Sequence, residues 1–204
     1  RGFVDTLRQG AIAQPEVAGR FLDIIDIEAE RLYQLIRDTL SLSEIEEAPQ
    51  DAEERETFDL VEAVEEVEVL LDEEAQARGV VLRAPEGSLP VTANRGRIKQ
   101  LLLNLMDNGI KYNRPGGTLS VAAQRQEDGM VEIRVSDTGE GIAAEHLGRL
   151  FERFYRVDKS RSRALGGTGL GLSIVKHIAQ LYHGVAQVTS TVGQGTTFII
   201  RMEI

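Results

Sequence analysis

Two runs of alternating apolar and polar residues, Thr118–Gln126 and Met130–Asp137, flank the pair Asp128-Gly129. Such a pair between strands of period two marks a hairpin, because glycine tolerates the positive φ that a tight reversal demands. The sequence therefore predicts an antiparallel pair with one face to bury. A second, closing hairpin is predicted from Val185–Thr191 and Thr196–Glu203 around Gly193-Gln194-Gly195. Helical periodicity marks Arg95–Tyr112, Ala143–Phe154 and Thr168–His183, and Asp59 with Glu62 forms a capping-box-like start for a helix reaching Arg78. Val80–Ala84 and Val91–Ala93 are short strand candidates. Helices able to cover one sheet face imply the α+β class, as an α/β two-layer sandwich.

The N-terminal quarter has a different pattern. Arg1–Gln9 reads as a helix closed by Gly10, and Pro15 suits the first turn of the next. Phe21, Ile25, Glu28, Leu32, Leu35, Thr39 and Leu42 then follow steps of four and three, a heptad seam of helix-bundle type. Such a stripe needs a partner, so a helical hairpin pairing with another copy is expected. Residues 49–56 are polar and read as a linker, which sets off segments 1–48 and 57–204.

Charge follows this division. The net charge is −10, yet Glu44 to Glu74 holds fifteen acidic residues against Arg55 alone, so the rest of the chain is slightly basic. The acidic stretch reads as linker and solvated helix face. Six basic residues fall between Arg149 and Arg163 without the groove-reading helix of a nucleic-acid binder. At 42% apolar residues a buried core is attainable, and the absence of cysteine excludes disulfides, thiolate metal sites and a Cys nucleophile. No apolar run nears the ~20 residues of a membrane-spanning helix, so a soluble, cytoplasmic chain is expected.

Three clusters carry chemistry. On the helix from Arg95, Asn104, Asn108 and Lys111 lie within about 60° of one another at 100° per residue. They read either as an exposed polar stripe or as hard ligands at the edge of a buried face, since an amide oxygen suits Mg²⁺ when phosphates supply other ligands. Asp137-Thr138-Gly139-Glu140-Gly141 follows an apolar strand. A carboxylate there either starts a turn or accepts a hydrogen bond from an exocyclic amine, with glycines letting a flat base approach. Gly166-Gly167-Thr168-Gly169-Leu170-Gly171 precedes a helix. It is either a hinge or a set of free amides facing a polyphosphate, with arginines just upstream.

In this order, ending with Gly193-Gln194-Gly195-Thr196, the clusters resemble the catalytic, ATP-binding domain of sensor histidine kinases, within the superfamily that includes gyrase-type ATPases. Asn104–Tyr112 is similar to that family's N box, Asp137–Gly141 to G1, Phe151–Arg156 to the F box, Gly167–Gly171 to G2 and Gly193–Thr196 to G3. The resemblance covers 57–204 and implies a Bergerat-type ATP-binding fold using ATP and Mg²⁺. It implies that Asn108 ligates Mg²⁺, that Asn104 and Lys111 support metal and phosphates, and that Tyr112 packs on the nucleotide. It further implies that Asp137 binds the adenine amine with Thr196 assisting, and that Arg156 contacts the γ-phosphate. Gly139 and Gly141 admit the base, Gly167, Thr168, Gly169, Leu170 and Gly171 shape the phosphate end, and Phe151 and Phe154 anchor the covering segment. Gly109 stands where the family commonly has alanine, a change expected to loosen the helix slightly.

Residues 1–48 resemble part of the dimerisation hairpin. The resemblance puts the phosphoacceptor histidine about ten residues before Arg1, in a segment whose parent is often anchored to the membrane. His146, His177 and His183 lack the context of an acceptor and read as structural or surface residues. The expected function is therefore the protein-histidine kinase core of a two-component sensor, unable to phosphorylate itself as this chain stands. Expected partners are the acceptor hairpin of the same or a partner kinase and a response-regulator receiver domain. Two other readings remain: a gyrase-type hydrolase, disfavoured because Asn104 occupies the position of its water-activating carboxylate, and an ATP-sensing scaffold that transfers nothing.

Overall fold

The computed structural model describes residues 4–6, 13–47, 54–158 and 167–204. In chain order its elements are α1 (Pro15–Glu47), β1 (Glu56–Asp59), α2 (Leu60–Arg78), β2 (Val81–Arg83), β3 (Pro90–Ala93), α3 (Arg95–Lys111), β4 (Thr118–Arg125), β5 (Val131–Asp137), α4 (Ala144–Leu147), α5 (Gly171–Leu181), β6 (Val185–Thr191) and β7 (Gly195–Met202). Five strands form one mixed sheet in the order β2-β4-β5-β7-β6, with β2 parallel to β4 and the other pairs antiparallel. A separate ribbon pairs β1 with β3, Phe58 opposite Val91. Both predicted hairpins form. Ser120 faces Ser136 across the first, which turns through Gly129 at φ 84°, and Val188 faces Phe198 across the second.

Helices α2, α3 and α5 cover the sheet on one side, giving the two-layer arrangement. Local chemistry sets their ends. Asp59 Oδ1 accepts from the amides of Val61 at 2.9 Å and Leu89 at 3.0 Å, so one carboxylate caps α2 and holds the loop before β3. Gly79, at φ 65°, ends the same helix in the left-handed conformation that a non-glycine residue adopts only with strain. Asn94 caps α3 by accepting from Arg97 N at 3.0 Å. The inward stripe of α3, Ile98, Leu101, Leu102 and Leu105, is fully buried in one cluster with Ile133 of β5 and Ile200 of β7. At about 25 cal/mol per Å² of apolar surface, each such leucine contributes roughly 2 kcal/mol. Tyr182, just past α5, is also fully buried, and its hydroxyl accepts from Asn94 N at 2.9 Å.

Several expectations shift. Glu56, read as the end of a linker, opens β1, a four-residue strand too short to show periodicity. The helix expected over Ala143–Phe154 stops at Leu147. Successive turns follow, and Phe154 sits at φ 62°, which no continuing helix permits. The helix expected from Thr168 begins at Gly171, because Gly169 lies at φ 77°. Of the helix expected over Arg1–Gln9, residues 4–6 are helical; the others, and Gly10, lie outside the described residues.

The heptad seam on α1 does not stay on one face. Exposure varies along it: Phe21, Ile25 and Leu35 are half-buried and Leu32 is 57% exposed, whereas Leu42 is 4% exposed within the main core. A straight helix of 3.6 residues per turn drifts about 20° per heptad against a 3.5-residue repeat, and three heptads turn the stripe toward α5. Leu22, Tyr33, Ile36 and Leu40 join Leu32 in an outward stripe that remains exposed.

Candidate functional site

The C-terminal end of β5 delivers Asp137 to the edge of a cleft of about 940 Å³, which α3, the start of α5 and α1 also border. Asp137 Oδ1 accepts from the amides of Gly139 at 2.8 Å and Thr196 at 3.2 Å. Among the described residues no donor reaches Oδ2, so one carboxylate oxygen is left to accept from a ligand. Burial pushes this carboxyl above the ordinary aspartate value, and the two amides oppose that shift. The loop after Asp137 is tied to the β6–β7 turn. Gly193 N donates to Glu140 O at 2.6 Å, Ile142 N donates to Ser190 Oγ at 2.8 Å, and Ser190 Oγ lies 3.0 Å from Thr196 Oγ1.

The glycines here have a packing role besides the one expected. A Cβ on Gly139 would meet the Tyr112 carbonyl, and one on Gly141, at φ 70°, would meet that of Thr191. Both therefore permit the loop to close onto protein backbone. Gly141 still borders the cleft, whereas Gly139 does not.

Asn104, Asn108, Lys111 and Tyr112 of α3 all line the cleft. Asn104 Nδ2 donates to Gln100 O at 3.0 Å and Asn108 Nδ2 to Asn104 O at 2.8 Å. Each amide thus spends its N–H on its own helix and keeps its side-chain oxygen as an acceptor, the donor type a hard divalent cation takes. Lys111 Nζ is paired with Asp107 Oδ2 at 2.7 Å. Burial raises the Asp107 carboxyl, with the Lys111 charge pulling the other way. Asp107 itself borders the cleft and was not singled out from sequence.

Gly167, Thr168, Gly169, Gly171, Arg156 and Thr196 line the same cleft. A Cβ at Gly171 would lie 2.7 Å from Asn104 Oδ1, so this glycine lets α5 close on α3. Leu170 does not join the lining: its side chain is 1% exposed in the core, and its amide donates to Thr168 Oγ1 at 3.2 Å. Phe151 packs edge-on against Phe198 at 6.3 Å, as an anchor should. Phe154 is 60% exposed, and its backbone donates to Gly169 O at 2.8 Å.

Sequence reasoning missed one wall altogether. Asp26, Glu30, Arg31, Gln34 and Asp38 of α1 border the cleft, brought there by packing across more than a hundred residues of chain. His177 joins this contact, Nε2 lying 2.8 Å from Glu46 of α1 and Nδ1 2.7 Å from Ser173 O. His146 Nδ1 lies 2.8 Å from the Tyr155 hydroxyl, and His183 is exposed.

Comparison with known proteins agrees with this architecture. Residues 93–204 match the family model described as histidine kinase-, DNA gyrase B-, and HSP90-like ATPase. The chain is 34% identical to sensor histidine kinase WalK of Bacillus subtilis, over 97% of this chain and 32% of that protein. It is 36% identical to sensor-like histidine kinase SenX3 of Mycolicibacterium smegmatis, over 98% of this chain and 52% of that one. The chain thus spans a third to a half of these relatives' length. Among solved structures it is similar to full-length ShkA in complex with AMPPNP (28% identity, TM-score 0.76, covering 92% of this chain and 39% of that one). It is also similar to histidine kinase ThkA in complex with response regulator protein TrrA (25%, TM-score 0.76, covering 98% and 55%). A two-layer fold with α3, the end of β5 and the glycine-rich entry to α5 around one cleft, matched by that model over more than half its length, means that this chain belongs to the family of histidine kinase-, DNA gyrase B-, and HSP90-like ATPases.

Proposed function

We propose that the chain is the ATP-binding catalytic portion of a two-component sensor histidine kinase. It binds Mg-ATP and passes the γ-phosphoryl group to a histidine outside these 204 residues, for relay to an aspartate of a response-regulator receiver domain. The observation that carries this reading is that Asp137, Asn108 and the entry to α5 border one cleft.

In this reading Asp137 Oδ2 accepts from the adenine amine, while Thr196 and the glycine loop set the floor against which the base lies. The metal is held by the Asn108 oxygen, with Asn104 and Lys111 beside it, and when bound it supplies charge neutralisation at the phosphates. The amides entering α5 lack helical partners and sit at the positive end of the helix dipole, so they favour polyphosphate. Arg156 adds a guanidinium to the same wall. Phosphoryl transfer asks for positioning and electrostatic stabilisation rather than covalent catalysis by the protein, and these residues offer both.

The exposed stripe on α1 supports pairing with an acceptor hairpin and a homodimeric parent. The complex of ThkA with TrrA supports a response regulator as the downstream partner. Anchoring of the parent in a membrane through segments preceding Arg1 belongs to the same proposal; among the described residues no helix is long and apolar enough to cross one.

The test is to mix the chain with a histidine-bearing acceptor hairpin and γ-labelled ATP. Acid-labile label on the hairpin supports the kinase. Nucleotide binding with no transfer to any acceptor hairpin points to the sensing scaffold instead.

A further inference from the structure

Asp38 lies in α1, outside the boxes that define the nucleotide site, yet it is 6% exposed and borders the same cleft as Asn104, Asn108 and Gly171. Its two carboxylate oxygens are separately occupied. Oδ2 accepts from Thr168 Oγ1 at 2.6 Å, and Oδ1 accepts from Gln34 Nε2 at 2.8 Å. Thr168 Oγ1 in turn accepts from the amide of Leu170, the residue just before α5. The carboxylate is thus bonded to the segment whose amides, on the function proposed above, receive phosphate. Two other α1 carboxylates, Asp26 and Glu30, border the cleft as well. On the α1 side of the cleft they are accompanied by one cation, Arg31, itself paired with Glu28 at 3.1 Å, while Lys111 and Arg156 lie on the other sides. This wall therefore presents excess negative charge to any polyphosphate.

We propose that the Asp38–Thr168 hydrogen bond is a latch that sets docking of α1 against binding of a nucleotide polyphosphate. With the latch closed, an internal anion holds the glycine-rich entry to α5 and disfavours the ligand's charge in a partly buried space, where like charges repel more strongly than in bulk water. Because coupling between two equilibria is reciprocal, filling the cleft loosens α1 by the same factor that docking of α1 weakens binding. Among the described residues, further ties of α1 lie away from the cleft. Glu46 meets His177 and Arg153, and Ser41 accepts from Gln100 Nε2 at 2.7 Å, so removing Asp38 leaves the helix attached.

The proposal rests on the nucleotide reading, and one calorimetric series separates the two. Mg-AMPPNP is titrated into the wild type, Asp38→Ala and Asp38→Asn, each checked for native helicity, and amide exchange over residues 34–42 is followed with and without nucleotide. The latch predicts about tenfold tighter binding by Asp38→Ala. It predicts a smaller gain for Asp38→Asn, which keeps an oxygen for Thr168 but loses the charge. It also predicts faster exchange over 34–42 when nucleotide fills the wild-type cleft. Equal affinities in the three folded proteins overturn the latch and leave the nucleotide site standing, and weaker binding by Asp38→Ala reverses the sign and overturns it equally. No binding by any of the three removes the nucleotide reading and the latch with it.

Discussion

Replacing Gly109 by alanine opposes two effects of known size. In a helix interior alanine is favoured over glycine by about 1 kcal/mol. Gly109 is buried, however, and a Cβ there would fall on Leu119 Cδ1 of β4 closer than real atoms approach. Leu119 is 1% exposed and has little room to give, and overpacking of this kind costs about 1–3 kcal/mol. The net expectation is that Gly109→Ala lowers stability by as much as about 2 kcal/mol, the opposite of what its helix propensity dictates. The sequence alone suggested only a slightly looser helix; the structure makes the glycine the seat of a leucine. Urea denaturation in a Leu119→Ala background isolates the cause. Leu119→Ala by itself costs about 2–5 kcal/mol. With that side chain gone, Gly109→Ala should regain about 1 kcal/mol. A Gly109→Ala protein stabilised equally with Leu119 present and absent would refute the steric argument.

Other perturbations test other joints of the structure. Tyr182→Phe deletes the acceptor for the Asn94 amide at the entry to α3 and should cost about 1–3 kcal/mol in chemical denaturation, since the amide is left unsatisfied. Asp59→Ala should lower the unfolding midpoint at neutral pH. Hydrogen bonds from Ser88 and from the Leu89 and Val61 amides depress this carboxyl, so its contribution is present above the unfolded pKa and is lost as pH falls through the lower folded value. The wild type and Asp59→Ala should therefore converge in acid. Asp137 behaves oppositely. Burial raises its carboxyl, so its contribution is full below the unfolded pKa and declines as pH rises through the folded value; Asp137→Asn should gain on the wild type in thermal melts between acid and neutral pH. A Gly195→Ala substitution places a Cβ against the Asp137 carbonyl at φ 121° and should destabilise the pocket floor by more than about 1 kcal/mol, measured by urea.

The readability of this chain varied with the range of the forces that shape each part. Both hairpins and the cap at Asp59 are local, and their residues announce them; the caps at Asn94 and Gly79 are equally local but were not singled out. Asn104, Asn108, Asp137 and the glycines before α5 stand out because their types and order are unusual, and they do border one cleft. The α1 wall was not legible. Asp38 is one aspartate among many on an amphipathic helix, and only the docking of α1 on α5 buries it. The same tertiary override explains 148–154, where apolar spacing favoured helix but the burial of Leu150 and the packing of Phe151 on Phe198 are met through turns. The glycine run was read as a unit, and the inward turn of the Leu170 side chain to the core was not legible within it.

The central claim is that one carboxylate and one amide, from different layers of the fold, hold the two ends of the same nucleotide. Equilibrium titration of Mg-AMPPNP and Mg-GMPPNP into the wild type, Asp137→Asn and Asn108→Ala tests it most directly. A hydrogen bond to a charged group is worth about 1.5–3 kcal/mol, so Asp137→Asn should lose about tenfold or more in affinity for the adenine nucleotide and most of its preference over guanine. Asn108→Ala should keep that preference and lose the dependence on Mg²⁺. Undiminished adenine selectivity in Asp137→Asn, or unchanged Mg²⁺ dependence in Asn108→Ala, contradicts the account.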